Sequence, residues 1–307
     1  MQFIKCALCG SNQTLNLFVS KDFIYDLPGK FSLVRCENCG LFYINPQPTR
    51  EEIDLFYPPE YAAHQNGKDF KKKDPNWKRK MKRYLGLRQE PFFKIKGTPP
   101  HQKFWRGGKI LDIGCGSGQL LERLKESGWQ CYGVELSPLA SQKTRGLGLN
   151  IFTGDLLSAL YPADFFDVVV LNHTFEHLPH PNAILKEIHR ILKTEGLLQI
   201  YLPNIQSLAA KIFQSYWFNL DLPRHLYHYA PATLKRMLQK HGFEVQKIKY
   251  SSSTAGILGS FQNWLKEKKG WRKNFRKSKP LCLTTKPLVK LVDLLRMGDS
   301  FYIYALK

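Results

Sequence analysis

Lys109-Ile110-Leu111-Asp112-Ile113-Gly114-Cys115-Gly116-Ser117-Gly118 is the stretch that decides how the rest of the chain is read. Residues 109–113 are a short apolar run carrying one acid, and glycines at 114, 116 and 118 follow at once. An apolar run that gives way to glycine predicts a buried strand feeding a tight turn. Glycine suits such a turn because a residue without Cβ accepts positive φ and lets a ligand lie against the backbone. Residues 119–127 then predict a helix with Leu120, Leu121 and Leu124 on one face.

What this turn binds follows from its acids. A dinucleotide turn needs a further glycine at position 119, where Gln119 stands. Asp112, at the end of the strand, would repel a pyrophosphate. A cationic ligand without phosphate fits better, and S-adenosylmethionine, with its sulfonium and amino groups, is such a ligand. Residues 130–134 predict a second strand ending in Glu135, an acid placed to accept two ribose hydroxyls. Residues 150–153 predict a third, followed by Gly154-Asp155-Leu156, where Asp155 is placed to accept from an adenine amino group.

Residues 110–118, Glu135, Asp155 and the later Phe166-Asp167-Val168-Val169-Val170-Leu171-Asn172 together resemble, in order and spacing, the class I S-adenosylmethionine-dependent methyltransferases. The resemblance implies an α/β fold with a Rossmann-like seven-stranded methyltransferase sheet. Its seventh strand, 300–306, is expected antiparallel beside the fifth and sixth. The resemblance also implies a donor site made of Asp112, Gly114, Cys115, Gly116, Gly118, Glu135 with its neighbour Leu136, Asp155 with its neighbour Leu156, and Asn172.

Upstream, Cys6-Ala7-Leu8-Cys9 and Cys36-Glu37-Asn38-Cys39 are each followed by a glycine. Two such pairs supply four thiolates for a tetrahedral structural zinc, Cys6, Cys9, Cys36 and Cys39, at the ends of a hairpin. Residues 34–48 resemble the zinc-ribbon head of methyltransferases from sugar and secondary-metabolite pathways. The N-terminus carries no secretory pattern, so the seven cysteines are expected as reduced thiols or metal ligands in a cytoplasmic protein. The expected organisation is an N-terminal zinc ribbon (1–48), a basic helical linker or lid (49–107) and a methyltransferase domain (108–307) with a basic, apolar insertion at about 251–298.

Further elements follow from pattern. A short acidic helix over 49–57 is capped by Thr49. A fourth strand spans 165–171, a helix over 183–192 stops at Gly196, and a fifth strand spans 197–202. The aromatic stretch 216–229 fits no period and is expected as a loop over the site. A helix over 231–241 and a sixth strand over 243–250 come next.

The net charge of +21 is confined to two segments. Residues 68–109 hold 15 Lys/Arg against three acids, and residues 262–290 hold 10 against Glu267 alone. The rest of the chain is neutral, so the basicity speaks of an anionic partner: lipid head groups, a phosphate-linked substrate or nucleic acid. Apolar helices over 255–265 and 287–297 flank the second segment. They suit either docking on a membrane surface or covering the sheet.

The reacting zone is expected after the fourth strand. Asn172-His173-Thr174 lacks the Asn-Pro-Pro-Tyr pattern of amine methyltransferases, which disfavours base N-methylation. Glu176-His177 resembles the pair of quinone and small-molecule O- and C-methyltransferases, some of which hold a divalent metal there; His173 stands where the completing acid would be. His173, His177, His225 and His228 are the candidates to remove a proton from the acceptor, and Arg224 is a candidate to bind its phosphate or carboxylate. The function expected is methyl transfer to a hydroxyl or acidic carbon of a small molecule or a glycan- or lipid-linked metabolite, with contact to an anionic membrane. The alternative is an RNA methyltransferase or a nucleic-acid-binding protein using the basic segments.

Overall fold

The computed structural model describes residues 1–58, 107–271 and 274–307. The basic stretch expected as a lid lies outside the described residues. In chain order, β1 (Thr14–Ser20), β2 (Phe31–Cys36) and β3 (Phe42–Ile44) precede α1 (Arg50–Ile53). Then come β4 (Lys109–Ile113), α2 (Gln119–Lys125), β5 (Gln130–Glu135), α3 (Pro138–Arg145) and β6 (Asn150–Thr153). Next are β7 (Phe166–Asn172), α4 (Pro181–Ile191), β8 (Leu192–Pro203), α5 (Leu208–Phe213) and β9 (Tyr227–His228). α6 (Pro231–Lys240), β10 (Glu244–Tyr250), α7 (Thr254–Lys269), α8 (Lys279–Leu294) and β11 (Ser300–Leu306) complete the chain.

The strands form a seven-stranded sheet of order β10-β11-β8-β7-β4-β5-β6 and a four-stranded sheet of order β1-β2-β3-β9. β4, β5 and β6 pair in parallel, whereas β10 and β11 are antiparallel. This is the mixed sheet expected from the resemblance. Ile110, Leu111 and Ile113 of β4 and Phe166 and Val168 to Leu171 of β7 are all buried. Such near-continuous burial, without alternation, belongs to strands covered on both faces.

By contact, the described residues fall into two units. One comprises Met1–Pro58, Leu171–His189 and Gln199–Leu306; the other comprises residues 107–170, Arg190–Leu198 and Lys307. In the second unit the predicted helix end is corrected. The helix stops at Ile191 and the strand begins at Leu192, ahead of Gly196. Glu195 takes φ 59°, and a Cβ on Gly196 would lie 2.7 Å from the Lys193 carbonyl, so the chain turns tightly inside the strand. Gly196 is needed there for close approach, not to stop a helix.

In the first unit, β1 and β2 form the hairpin expected between the cysteine pairs, and β3 continues it antiparallel. Thr49 caps α1 in a reciprocal pair with Glu52. The aromatic stretch is corrected from an overlying loop to core. Trp217, Leu220, Leu222, Leu226, Tyr227 and Tyr229 are buried, and Tyr227–His228 pairs with β3 as the fourth strand of the ribbon sheet. A two-residue strand has no period to read, and its partner lies far away in sequence. Pro287, expected at a helix start, sits inside α8 instead.

Arg224 is also corrected. It is fully buried and holds no donor in reserve for a substrate. Its Nη1 and Nη2 reach Asp22 at 2.9 and 2.7 Å, Nε and Nη2 reach Asp221 at 2.8 and 2.5 Å, and Nη1 also donates to the Phe56 carbonyl at 3.1 Å. These contacts use all of the guanidinium's N–H groups. Burial works against ionised Asp22, but the Arg224 hydrogen bonds and charge hold its carboxyl below the usual range. That contribution to stability is present above the unfolded pKa and is lost as pH falls through the folded one.

Removing one partner of a buried ion pair leaves uncompensated charge. Arg224→Ala is therefore expected to lower the unfolding free energy by about 3–5 kcal/mol, read from urea denaturation. A loss below about 1 kcal/mol would show that the network is solvated and dispensable.

Candidate active site: a donor turn and a histidine cluster

In the second unit, β4 delivers Asp112 to the start of the glycine turn. Its carboxyl is 4% exposed, and Oδ1 has no hydrogen-bond partner among the described residues. Burial, and after it the charge of Glu135, push this carboxyl up to about 8. Glu135 ends β5 and clasps the turn: Oε2 accepts from Gly116 N at 2.8 Å and Oε1 from Ser137 N at 2.9 Å. Gly118 has φ 69°, and a Cβ there would lie 2.3 Å from Thr144 Cγ2, so only glycine fits. A Cβ on Gly116 would meet nothing within 4 Å, so space lies open over that backbone.

The remaining expected donor residues lie at or just beyond the ends of β4, β5, β6 and β7. Gly114 N and Cys115 N both donate to Val134 O, and Cys115 is buried. Asp155 follows β6, and its Oδ1 accepts from Ser158 N and Oγ at 2.8 and 2.9 Å. Leu156 is buried, while Leu136 is 65% exposed. Asn172 is half-buried at the end of β7 and belongs to the first unit. An orphaned buried carboxylate oxygen near open backbone fits a ligand bearing an ammonium group.

The first unit gathers all four candidate histidines around Glu176. His173 Nδ1 lies 3.3 Å from Glu176 Oε1, and His225 Nε2 lies 3.8 Å from the same oxygen. The His177 and His225 rings are 4.6 Å apart, and those of His225 and His228 are 6.0 Å apart. His173 is exposed, His177 half-buried, and Glu176, His225 and His228 buried. Glu176 Oε2 and His228 Nε2 have no hydrogen-bond partner among the described residues.

Backbone carbonyls set the tautomers. His177 Nδ1 is 3.0 Å from Arg224 O, and His225 Nδ1 is 2.9 Å from Asn219 O. A carbonyl only accepts, so each Nδ1 carries a proton, and in neutral His177 Nε2 presents a lone pair. Burial, helped by His225, pushes His177 down to about 4 and His228 down to about 3, so both are neutral at pH 7. Burial opposes ionisation of Glu176, but the His173 hydrogen bond and the neighbouring histidines hold it below the usual carboxylate range.

Three contributors carry no sequence signal beyond their residue type. Tyr57, legible only as the end of a helix, places its hydroxyl 3.0 Å from His177 Nδ1. Asp221 Oδ2 lies 3.7 Å from His225 Nε2. Arg224, through its carbonyl, orients His177.

Among the described residues, ligand atoms of Cys6, Cys9, Cys36 and Cys39 lie within 4.8 Å of one another, as do those of Glu176, His177 and His225. The cysteine sulfurs approach to 3.4 Å (Cys6–Cys39) and 3.5 Å (Cys9–Cys36). Thiolates around a tetrahedral zinc sit about 3.8 Å apart, so the donor set fits. Gly10 N and Gly40 N donate to the Cys6 and Cys36 carbonyls, closing each knuckle.

A family profile described as "Methyltransferase domain" matches residues 78–248, more than half of the 307-residue chain. The ubiquinone biosynthesis O-methyltransferase of Thiobacillus denitrificans is 29% identical over 157 residues, 46% of this chain and 67% of its own length. That of Pseudomonas aeruginosa is 30% identical over 159 residues, 46% of this chain and 67% of its own length. A solved S-adenosylmethionine-dependent methyltransferase from Archaeoglobus fulgidus has 25% identity and a TM-score of 0.47, covering 76% of this chain and 93% of that one. The chain belongs to the methyltransferase family and is an S-adenosylmethionine-dependent enzyme.

A donor ammonium group placed against Asp112 would favour its ionised form, whereas burial pushes this carboxyl up to about 8 in the free protein. Binding is therefore expected to release a proton and to tighten as pH rises toward 8. Calorimetry at pH 7 in buffers of different ionisation enthalpy measures this release. Asp112→Asn should abolish it, and a release that survives the substitution assigns the proton elsewhere.

Proposed function

We propose that this enzyme methylates a hydroxyl or acidic carbon of a small molecule or a glycan- or lipid-linked metabolite, at an anionic membrane surface. The observation that carries the reading is the gathering of His173, His177, His225 and His228 around one buried carboxylate. The O-methyltransferase names of the relatives favour the hydroxyl.

Asp112, Gly114, Cys115, Gly116, Gly118, Glu135, Leu136, Asp155, Leu156 and Asn172 are the residues proposed to hold S-adenosylmethionine. When bound, the donor supplies a methyl group that is already activated. The chain's own residues then have to orient an acceptor and take its proton. His177 presents an unprotonated Nε2, and Glu176 can stabilise the imidazolium that proton transfer creates. Cys6, Cys9, Cys36 and Cys39 are proposed to hold one structural zinc, since four thiolates leave no open coordination position.

A second reading of the histidine cluster has its own support. A base with a pKa of about 4 takes a proton well only from an acidified acceptor. Glu176, His177 and His225 form a donor set within 4.8 Å, and both histidines have Nδ1 fixed by carbonyls, as metal-bound imidazoles do. A divalent cation held there would acidify a hydroxyl.

Products formed from methyl-labelled donor in metabolite extracts, identified by mass, test the activity. His177→Ala is expected to lower kcat by roughly 10²–10⁴-fold. If His177 is the base, the acid limb of kcat/KM should fall near pH 4 and not near 6.5. Loss of turnover on chelation, restored by a divalent metal, selects the second reading, and near wild-type turnover of His177→Ala removes both. Elemental analysis of the purified chain should find one zinc per molecule, and Cys36→Ser should lose it together with thermal stability. A chain that contains no zinc, yet melts as high as Cys36→Ser does, would refute the structural metal.

A further inference from the structure

α8 is built the wrong way round for a helix that only covers a sheet. Val289 and Val292 are buried, and its single acid, Asp293, is turned toward the protein, accepting from Ser252 N at 3.0 Å and Oγ at 2.6 Å. The rest of its apolar content faces outward. Leu283 is 66% exposed, Leu291 52% and Leu294 81%, with Leu295 just beyond the helix at 61%. At about 100° per residue Leu283, Leu291 and Leu294 share the side opposite Val289 and Val292. Leu281 and Leu288 are exposed too, but project nearer the Val292 side.

Lysines edge this stripe. Lys279, Lys286 and Lys290, separated by seven and four residues, lie along one flank and are all exposed. The other charges nearby do not oppose them. Glu267, the one acid of residues 262–290, is paired with Lys21 at 2.7 Å. A surface helix of a globular protein normally sends its apolar stripe inward. An outward stripe flanked by cations, with its acid withdrawn, is what an interfacial helix presents: leucines for the acyl boundary and lysines for the head groups.

We infer that the outward face of α8 docks the enzyme on an anionic lipid bilayer, with Leu283, Leu291 and Leu294 entering the interface and Lys279, Lys286 and Lys290 contacting acidic head groups. Charge complementarity selects lipid: a soluble apolar partner would leave the lysine row unanswered, and a polyanion alone would leave the leucines in water. No helix among the described residues is long and apolar enough to cross a membrane, so the contact is peripheral. The inference rests on the membrane-surface part of the reading above; methyl transfer to a soluble acceptor does not depend on it.

Co-sedimentation of the full chain with phosphatidylglycerol/phosphatidylcholine vesicles, against phosphatidylcholine alone, tests the docking. Binding should require the anionic lipid. The triple change Leu283→Ser, Leu291→Ser, Leu294→Ser and the triple change Lys279→Glu, Lys286→Glu, Lys290→Glu should each lower the bound fraction at least about tenfold. Donor binding by calorimetry should be unaltered in both, which separates a failure of docking from a failure of the enzyme. Equal binding to neutral vesicles, or binding that neither variant weakens, overturns the inference. So does a dimer in sedimentation velocity that the leucine variant dissociates, or RNA binding abolished by the lysine variant without vesicle binding.

Discussion

A fully buried guanidinium with every N–H committed is the constraint on which the first unit depends. Arg224 joins Asp22, just beyond the first hairpin strand, to the Phe56 carbonyl after the short N-terminal helix and to Asp221 in its own loop. Its backbone carbonyl then fixes the proton of His177. One buried charge thus ties residues far apart in sequence to the orientation of a reactive side chain. The cost of desolvating it is tolerable only because two carboxylates share it. Asp221 serves twice, since its second oxygen faces His225.

The donor unit rests on a different device. Glu135 is spent on the amides of Gly116 and Ser137, so the acid expected to hold a ribose also holds the turn together. Oδ1 of Asp112 has no hydrogen-bond partner among the described residues. An unsatisfied buried carboxyl oxygen is unfavourable, and a cationic ligand placed against it would remove that penalty. Groups perturbed in this way are common at sites that recognise charge.

Much of this was legible because it is local. Strands β4, β5 and β6 are short apolar runs bounded by glycine or acid, and their positions follow directly from the sequence. The cysteine pairs and their glycines are equally local. What was not legible depends on distant partners. Nothing within residues 216–229 announces that Tyr227–His228 will pair with a strand some 180 residues earlier. Arg224 shows its charge in the sequence but not Asp22, so it reads as free to bind substrate when it is fully engaged. Gly196 reads as a helix stop because glycine serves there more often than in a turn within a strand. The histidines were identifiable by type and place, yet the carboxylate that gathers them and the carbonyls that set their tautomers appear only in three dimensions.

The four-cysteine knuckles are also held from outside. Arg236 donates to the Cys39 carbonyl, Lys240 to that of Leu8 at 3.0 Å, and Asn182 to that of Ala7 at 2.7 Å. With β9 completing its sheet, the ribbon is not a cassette that can be cut away or exchanged. A shortened chain starting after it would leave Tyr227–His228 as a bare edge and strand Arg236, Lys240 and Asn182 without acceptors. Exposed strand edges recruit other chains, so the amputated enzyme would be prone to aggregate. The ribbon thereby covers an edge that the rest of the molecule would otherwise leave open.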